Sequence, residues 1–139
     1  MAARVFTDDN GDHIWSQALN WQSDTKPSAG DSVTVGAAVT NMDIDEATAA
    51  LVSFDATAPA ALNIHGSGAL TVAGTFTLDS GDHWDHTGGL ILNLVAHVHI
   101  TFGGVNMETD VVTVNMTPTA AVIYNFDGAA TTFGQFDIN

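Results

Sequence analysis

The densest reactive cluster in this 139-residue chain is Asp82-His83-Trp84-Asp85-His86. In an extended strand Asp82, Trp84 and His86 share one face, and His83 and Asp85 the other. In a loop, His83 and His86 could share a metal with a carboxylate. A second pair, His97 and His99, brackets Val98 and places two imidazoles on one strand face, about 6.8 Å apart. His83, His86, His97 and His99 are thus the candidate ligands of a two-His-plus-carboxylate site. No motif such as His-Glu-x-x-His fixes that geometry, and imidazoles on an outer strand face need no function. The expectation is no resident metal and no cofactor, with histidine pairs whose protonation weakens an interface below about pH 6.

Other chemistry has less to stand on. Asp8, Asn10 and Asp12 occupy positions 1, 3 and 5 of an EF-hand-like loop, but the glycine comes too early and Leu19 stands where the bidentate Glu belongs. An Asx-rich turn is the expectation there. There is no Gly-x-Ser-x-Gly elbow and no phosphate-cradling loop ending in Lys-Ser or Lys-Thr. Glu46 and Glu108 are the only glutamates, and although Glu46 follows Asp45 directly, neither is placed with another acid in a way that would set up a glycosidase pair. No catalytic residue is assigned, and the expectation is a chain that is not an enzyme. Thr-x-Thr occurs only at Thr75/Thr77 and at Thr117/Thr119, too little for an ice-binding array.

Charge narrows the partners. Sixteen Asp and Glu face two cations, Arg4 and Lys26, for a net charge of −14. Nucleic-acid affinity is driven by counterion release from phosphates neutralised by cations, so no nucleic acid is expected as a partner. The same argument excludes an anionic membrane surface, and no apolar run approaches the roughly 18 residues of a membrane-spanning helix. With no cysteine, disulfides and thiolate chemistry are absent. Residues 1–14 carry no apolar h-region or cleavage pattern, which predicts a chain made in a cytoplasm.

The elements that must position these residues are strands. Hydrophobic residues make up 45% and charged ones 13%, and Thr, Val, Gly, Asp and Asn outnumber helix formers. Apolar residues alternate at Val33/Val35, Met42/Ile44, Leu62/Ile64, Leu70/Val72, Phe76/Leu78 and Leu90/Leu92/Leu94, and onward to Phe136/Ile138. The one helix-like window, residues 45–54, is β-branched at its end and suits a strand equally. Apolar runs begin near 33, 51, 70, 90, 111 and 133, a step of about twenty holding two strands. That predicts one all-β domain over 1–139, a short β-solenoid of about five rungs. Residues 1–31 supply an N-terminal strand and cap, and 32–139 the stacked strands. An antiparallel jelly roll or sandwich is the alternative. An end rung would expose its apolar interior, so Trp15, Leu19 and Trp21 are expected to form a lid, with Pro27 turning the chain into the first regular strand.

The segment "WSQALNW…KPSAGDSVTV", preceded by "ARVF", resembles the opening of many β-helical proteins. These include autotransporter-like passenger domains and small virion proteins of tailed bacteriophages. The resemblance covers residues 3–36 and contains no catalytic residue. It implies a structural role: a capsid decoration or cement protein on the virion surface, whose partner is the major capsid protein or another virion protein. The alternative is a tail, fibre or adhesin module that stacks host glycans on Trp15, Trp21 or Trp84. By analogy with phage spikes a homotrimer is expected, with out-of-phase Val95, Val105, Val111 and Ile123 between protomers. Arg4, Val5, Phe6 and Lys26, in the only positively charged part of the chain, are the expected attachment residues. On that reading residues 1–7 are dispensable for folding.

Overall fold

A computed structural model describes residues 1–79, 81–85 and 88–95 in full, and the backbone alone of strands at 99–102, 106–107, 111–112, 114–117 and 135–136. Among the described residues thirteen strands run in chain order: β1 (Ala3–Phe6), β2 (Ser32–Val35), β3 (Asn41–Ile44), β4 (Leu51–Asp55), β5 (Asn63–Gly66), β6 (Ala69–Leu78), β7 (His83–Trp84), β8 (Ile91–Val95), β9 (His99–Phe102), β10 (Asn106–Met107), β11 (Val111–Val112), β12 (Val114–Thr117) and β13 (Gln135–Phe136). Among the described residues the only helix is two short 3-10 turns, Ala18–Asn20 and Gln22–Asp24. Only the end of the helix-like window, from Leu51, becomes strand β4, as its β-branched residues favour.

Every pairing between these strands is parallel. A seven-stranded sheet runs β1-β2-β4-β6-β8-β12, with β9 also against β6; a four-stranded sheet runs β10-β7-β5-β3, and β11 pairs with β13. An antiparallel jelly roll therefore does not describe the chain, because Greek-key sheets are built from antiparallel neighbours. The one antiparallel contact among the described residues is the isolated bridge between Phe6 and Trp21. Period-two alternation cannot distinguish these cases, since it reports only that one strand face is buried.

The register is regular. Val33 lies beside Phe54 and Phe54 beside Phe76, 21 and 22 residues apart; Leu70 beside Leu92 and Met42 beside Ile64 are each 22 apart. The starts of the apolar runs drift from 18 to 22 because they sample different columns: Leu51 pairs with Val72, not with Leu70. Stacking in register puts like on like. Val33, Phe54 and Phe76 form one buried column, Met42, Ile64 and Trp84 another, and Leu70 and Leu92 a third. The rings of Phe54 and Phe76 stack at 5.6 Å, and Phe76 meets Trp84 edge-on at 6.0 Å.

Two glycines mark how closely successive passes of the chain approach. A Cβ on Gly74 would collide with the carbonyl oxygen of Val52, and one on Gly66 (φ 131) with that of Ile44. Only glycine combines that backbone angle with that proximity.

β1 stands apart in sequence but not in space. It pairs with β2 as Ala3 with Ser32 through Phe6 with Val35, and Phe6 is fully buried. "ARVF", expected as an attachment strand dispensable for folding, is thus paired along one edge with this chain's own β2. Its residues are out of step because the cap is inserted after them, yet the strand completes this chain's own sheet.

Candidate functional site: the N-terminal end and its aspartate corner

After Phe6 the chain leaves the sheet through residues with left-handed backbone, Asp8 (φ 57) and His13 (φ 66), on either side of Gly11. Short Asx side chains tolerate that region when they bond locally. The Asp8 carboxylate accepts the backbone N–H of His13 at 2.8 Å and lies 2.5 Å from its Nδ1. Asp12 accepts from Ile14 N at 3.1 Å, from Asn20 Nδ2 at 2.5 Å and from Asn10 Nδ2 at 2.6 Å. The Asn20 side chain, whose bond to Asp12 is the chief cause, holds that carboxyl below its ordinary range. The acids of the EF-hand-like stretch are therefore engaged by the chain's own N–H groups, as an Asx-rich turn requires.

Behind this turn lie three rings. Trp21 meets Phe6 edge-on at 5.1 Å and Trp15 edge-on at 4.6 Å, and its Nε1–H donates to the Trp15 carbonyl at 2.8 Å. All three are buried, so they cover the apolar end of the stack. Leu19, expected in that lid, is 53% exposed instead. It sits on the outer side of the 3-10 turn whose buried residue is Asn20. Pro27 is half-buried and Lys26 exposed. Lys26 Nζ reaches Glu46 Oε1 at 2.6 Å.

The corner into β2 is built on Asp31, which is buried. Its carboxylate accepts from Ala2 N at 2.6 Å, Ser28 N at 3.2 Å, Ser28 Oγ at 3.1 Å and Arg4 Nε at 3.3 Å. These donors, the Ala2 N–H foremost, hold its pKa down to about 2. The corner into β7 repeats the arrangement. Asp82, also buried, accepts from Asp79 N at 2.8 Å and Leu62 N at 3.0 Å. Burial pushes its carboxyl up, and the Asp79 charge adds to that, against the two N–H bonds that favour the ionised form. In each corner the carboxylate binds the N–H three residues back and one N–H on the preceding pass of the chain.

This recurrence has a sequence signature that periodicity overlooks: Ser28-Ala29-Gly30-Asp31 and Asp79-Ser80-Gly81-Asp82 share [Ser/Asp]-x-Gly-Asp. Gly30 (φ 81) and Gly81 (φ 96) occupy the same left-handed region. Asp82, read from sequence as a member of a metal or polar cluster, is a structural corner residue.

The remaining candidates separate. His83 is half-buried with Nδ1 3.0 Å from Asn63 Oδ1. His86 and His97 lie outside the described residues, and of His99 only the backbone in β9 is described. No group of three or more His, Asp or Glu converges as a metal site among the described residues. Trp84 is fully buried and its Nε1–H has no partner among the described residues. With Trp15, Trp21 and Trp84 all inside, none offers a ring for stacking a sugar. Of the expected attachment residues, Phe6 is core, Arg4 is joined to Asp31 and Lys26 to Glu46, and Val5 is half-buried. Comparison with known protein families, curated proteins and solved structures finds no match to this chain.

Proposed function

We propose that the chain is a short three-faced β-solenoid with about 22 residues per coil, and that it is a non-enzymatic structural protein of a virus particle. Within that class it is a capsid decoration or cement protein that binds and stabilises the shell through the major capsid protein or another virion protein. The winding follows from chain order. β2 and β3 lie on two faces, the bridge of Ala47 to Ala69 opens the third, and β4 returns to the first one coil on. The observation that carries the role is the coincidence of the phage-like opening with one structural unit. "ARVF", the two tryptophans and the Pro-x-x-Gly-Asp turn are the parts that build the N-terminal end and its Asp31 corner.

Two experiments test this reading. Cysteines at Thr34 and Asp55, paired in register, should form a disulfide readily, since parallel neighbours lie near the Cα separation a disulfide spans; failure to oxidise ends the solenoid. Purified chain should co-sediment with shells that lack it and raise their disruption temperature. No co-sedimentation at micromolar concentration ends the decoration role.

A further inference from the structure

We propose that the outward surface of the first half of β6 and of β8 binds a second copy of this chain. The inference rests on the parallel register alone and not on the virion assignment. Leu70 and Val72 in β6 and Leu92 and Leu94 in β8 are buried. Residues of opposite parity face outward: Ala69, Thr71 and Ala73 on one strand, Ile91, Asn93 and Val95 on the next, each half-buried. Ala69 pairs with Ile91 and Thr71 with Asn93, whose Nδ2 donates to the threonine hydroxyl at 3.4 Å. Val95, out of phase with the inward pattern, falls on this surface.

Its charge sets it apart. None of these six positions carries a formal charge. The four-stranded sheet presents Asp43, His65 and His83 outward, and the second half of β4 presents Asp55, all half-buried. The chain bears a net charge of −14, and its two cations are joined to Asp31 and Glu46 within the chain. A second copy approaching an acidic face meets like charge, which opposes association. On this surface apolar burial proceeds without that opposition.

The shape is self-complementary. Small Ala69 and Ala73 stand beside larger Ile91 and Val95, so across a two-fold axis the large residues of one copy seat over the small ones of the other. Two such sheets pack about 10 Å apart. At ~3.3 Å per residue and ~4.8 Å per strand, five residues across these two strands cover on the order of 160 Å² per copy. A standard interface covers ~800 Å² per partner. The pairing is therefore weak and concentration-dependent, and its unit is a dimer whatever larger assembly the pairs build.

Sedimentation of the full chain from about 1 to 200 µM tests this. The expected result is a rise from one chain to two, tightened several-fold in about 0.5 M salt as repulsion between the acidic copies is screened. Ile91→Glu should weaken the pairing at least tenfold with an unchanged β-rich circular dichroism spectrum. Thr71→Glu, on the same surface, should do the same and stands in if the first variant misfolds. His65→Glu on the other sheet should leave pairing as it is. A single chain across the whole range in high salt overturns the proposal, as does pairing unaltered in both surface variants. Shell binding by a chain that stays single would separate that failure from a failure of the virion reading.

Discussion

The N-terminal end and the middle of the stack are built from the same parts with different completeness. Each has a Gly-Asp corner and a buried tryptophan. At the end, Asp31 has donors from Ala2, Ser28 and Arg4, and the Trp21 indole donates to Trp15. In the middle, among the described residues, Asp82 has two backbone donors and no ion-paired cation, and the Trp84 indole N–H has no acceptor. The difference follows from where partners can come from. The corner at Asp82 lies between two passes of the chain, and the donors it meets there are the backbone N–H groups of Leu62 and Asp79. At the end, non-repeating residues fold over and supply extra side chains. Polar completeness is thus concentrated where the stack would otherwise fray.

The largest expected effect is removal of residues 1–7. It deletes β1, two of Asp31's partners and the fully buried Phe6. Truncating a buried Phe alone costs ~3–5 kcal/mol, against ~5–15 kcal/mol of total stability for a typical domain. Thermal melting by circular dichroism should show loss of the cooperative transition or a greatly lowered midpoint; an unchanged midpoint would mean the end is not held this way.

Next come the glycines. Gly66→Ala adds a Cβ against the Ile44 carbonyl at a left-handed φ, whereas Gly30→Ala (φ 81) meets nothing within 4 Å. Overpacking and backbone strain together should cost roughly 2–5 kcal/mol at Gly66 and strain alone about 1–2 kcal/mol at Gly30. Urea titration of both variants orders them, and equal costs would contradict the close stacking.

The two aspartates should part with pH. Asp31 titrates near 2, below the unperturbed 3.8, so its stabilisation is present above 3.8 and is lost as pH falls from there toward 2. Asp82 is shifted upward, so it stabilises most below 3.8 and loses that contribution as pH rises through its raised pKa. Asp31→Asn should therefore flatten the acid limb of the stability curve below pH 4, and Asp82→Asn should flatten the region above it. Denaturation midpoints from pH 2 to 7 decide this, and identical profiles for the two variants would dissolve the distinction.

The smallest effect separates the tryptophans. Trp21→Phe leaves a void and strands the Trp15 carbonyl; Trp84→Phe leaves a similar void but removes an unsatisfied N–H. An unpaired buried donor costs ~1–3 kcal/mol, so Trp84→Phe should be milder by about 1–2 kcal/mol in the same urea experiment. A costlier Trp84→Phe would place a partner on that indole.

Much of this was legible in the residues themselves. Alternation identified the strands and their inward sides, because period two is a local property of extended backbone: Val33, Met42, Ile64, Leu70 and Leu92 are all buried as their neighbours' polarity implied. Composition likewise fixed a strand-rich chain with almost no helix. What sequence left open depends on contacts between residues some 22 apart. Parallel pairing, the choice of Leu51 for Val72, the return of "ARVF" to its own sheet, and the burial of Asp31 and Asp82 all require knowing which pass of the chain lies beside which. Leu19 shows the limit most plainly: its type belongs in a lid, but the turn that buries Asn20 turns Leu19 outward. Hydrophobicity states what a side chain would gain by burial; only the packed neighbours determine whether a place exists for it.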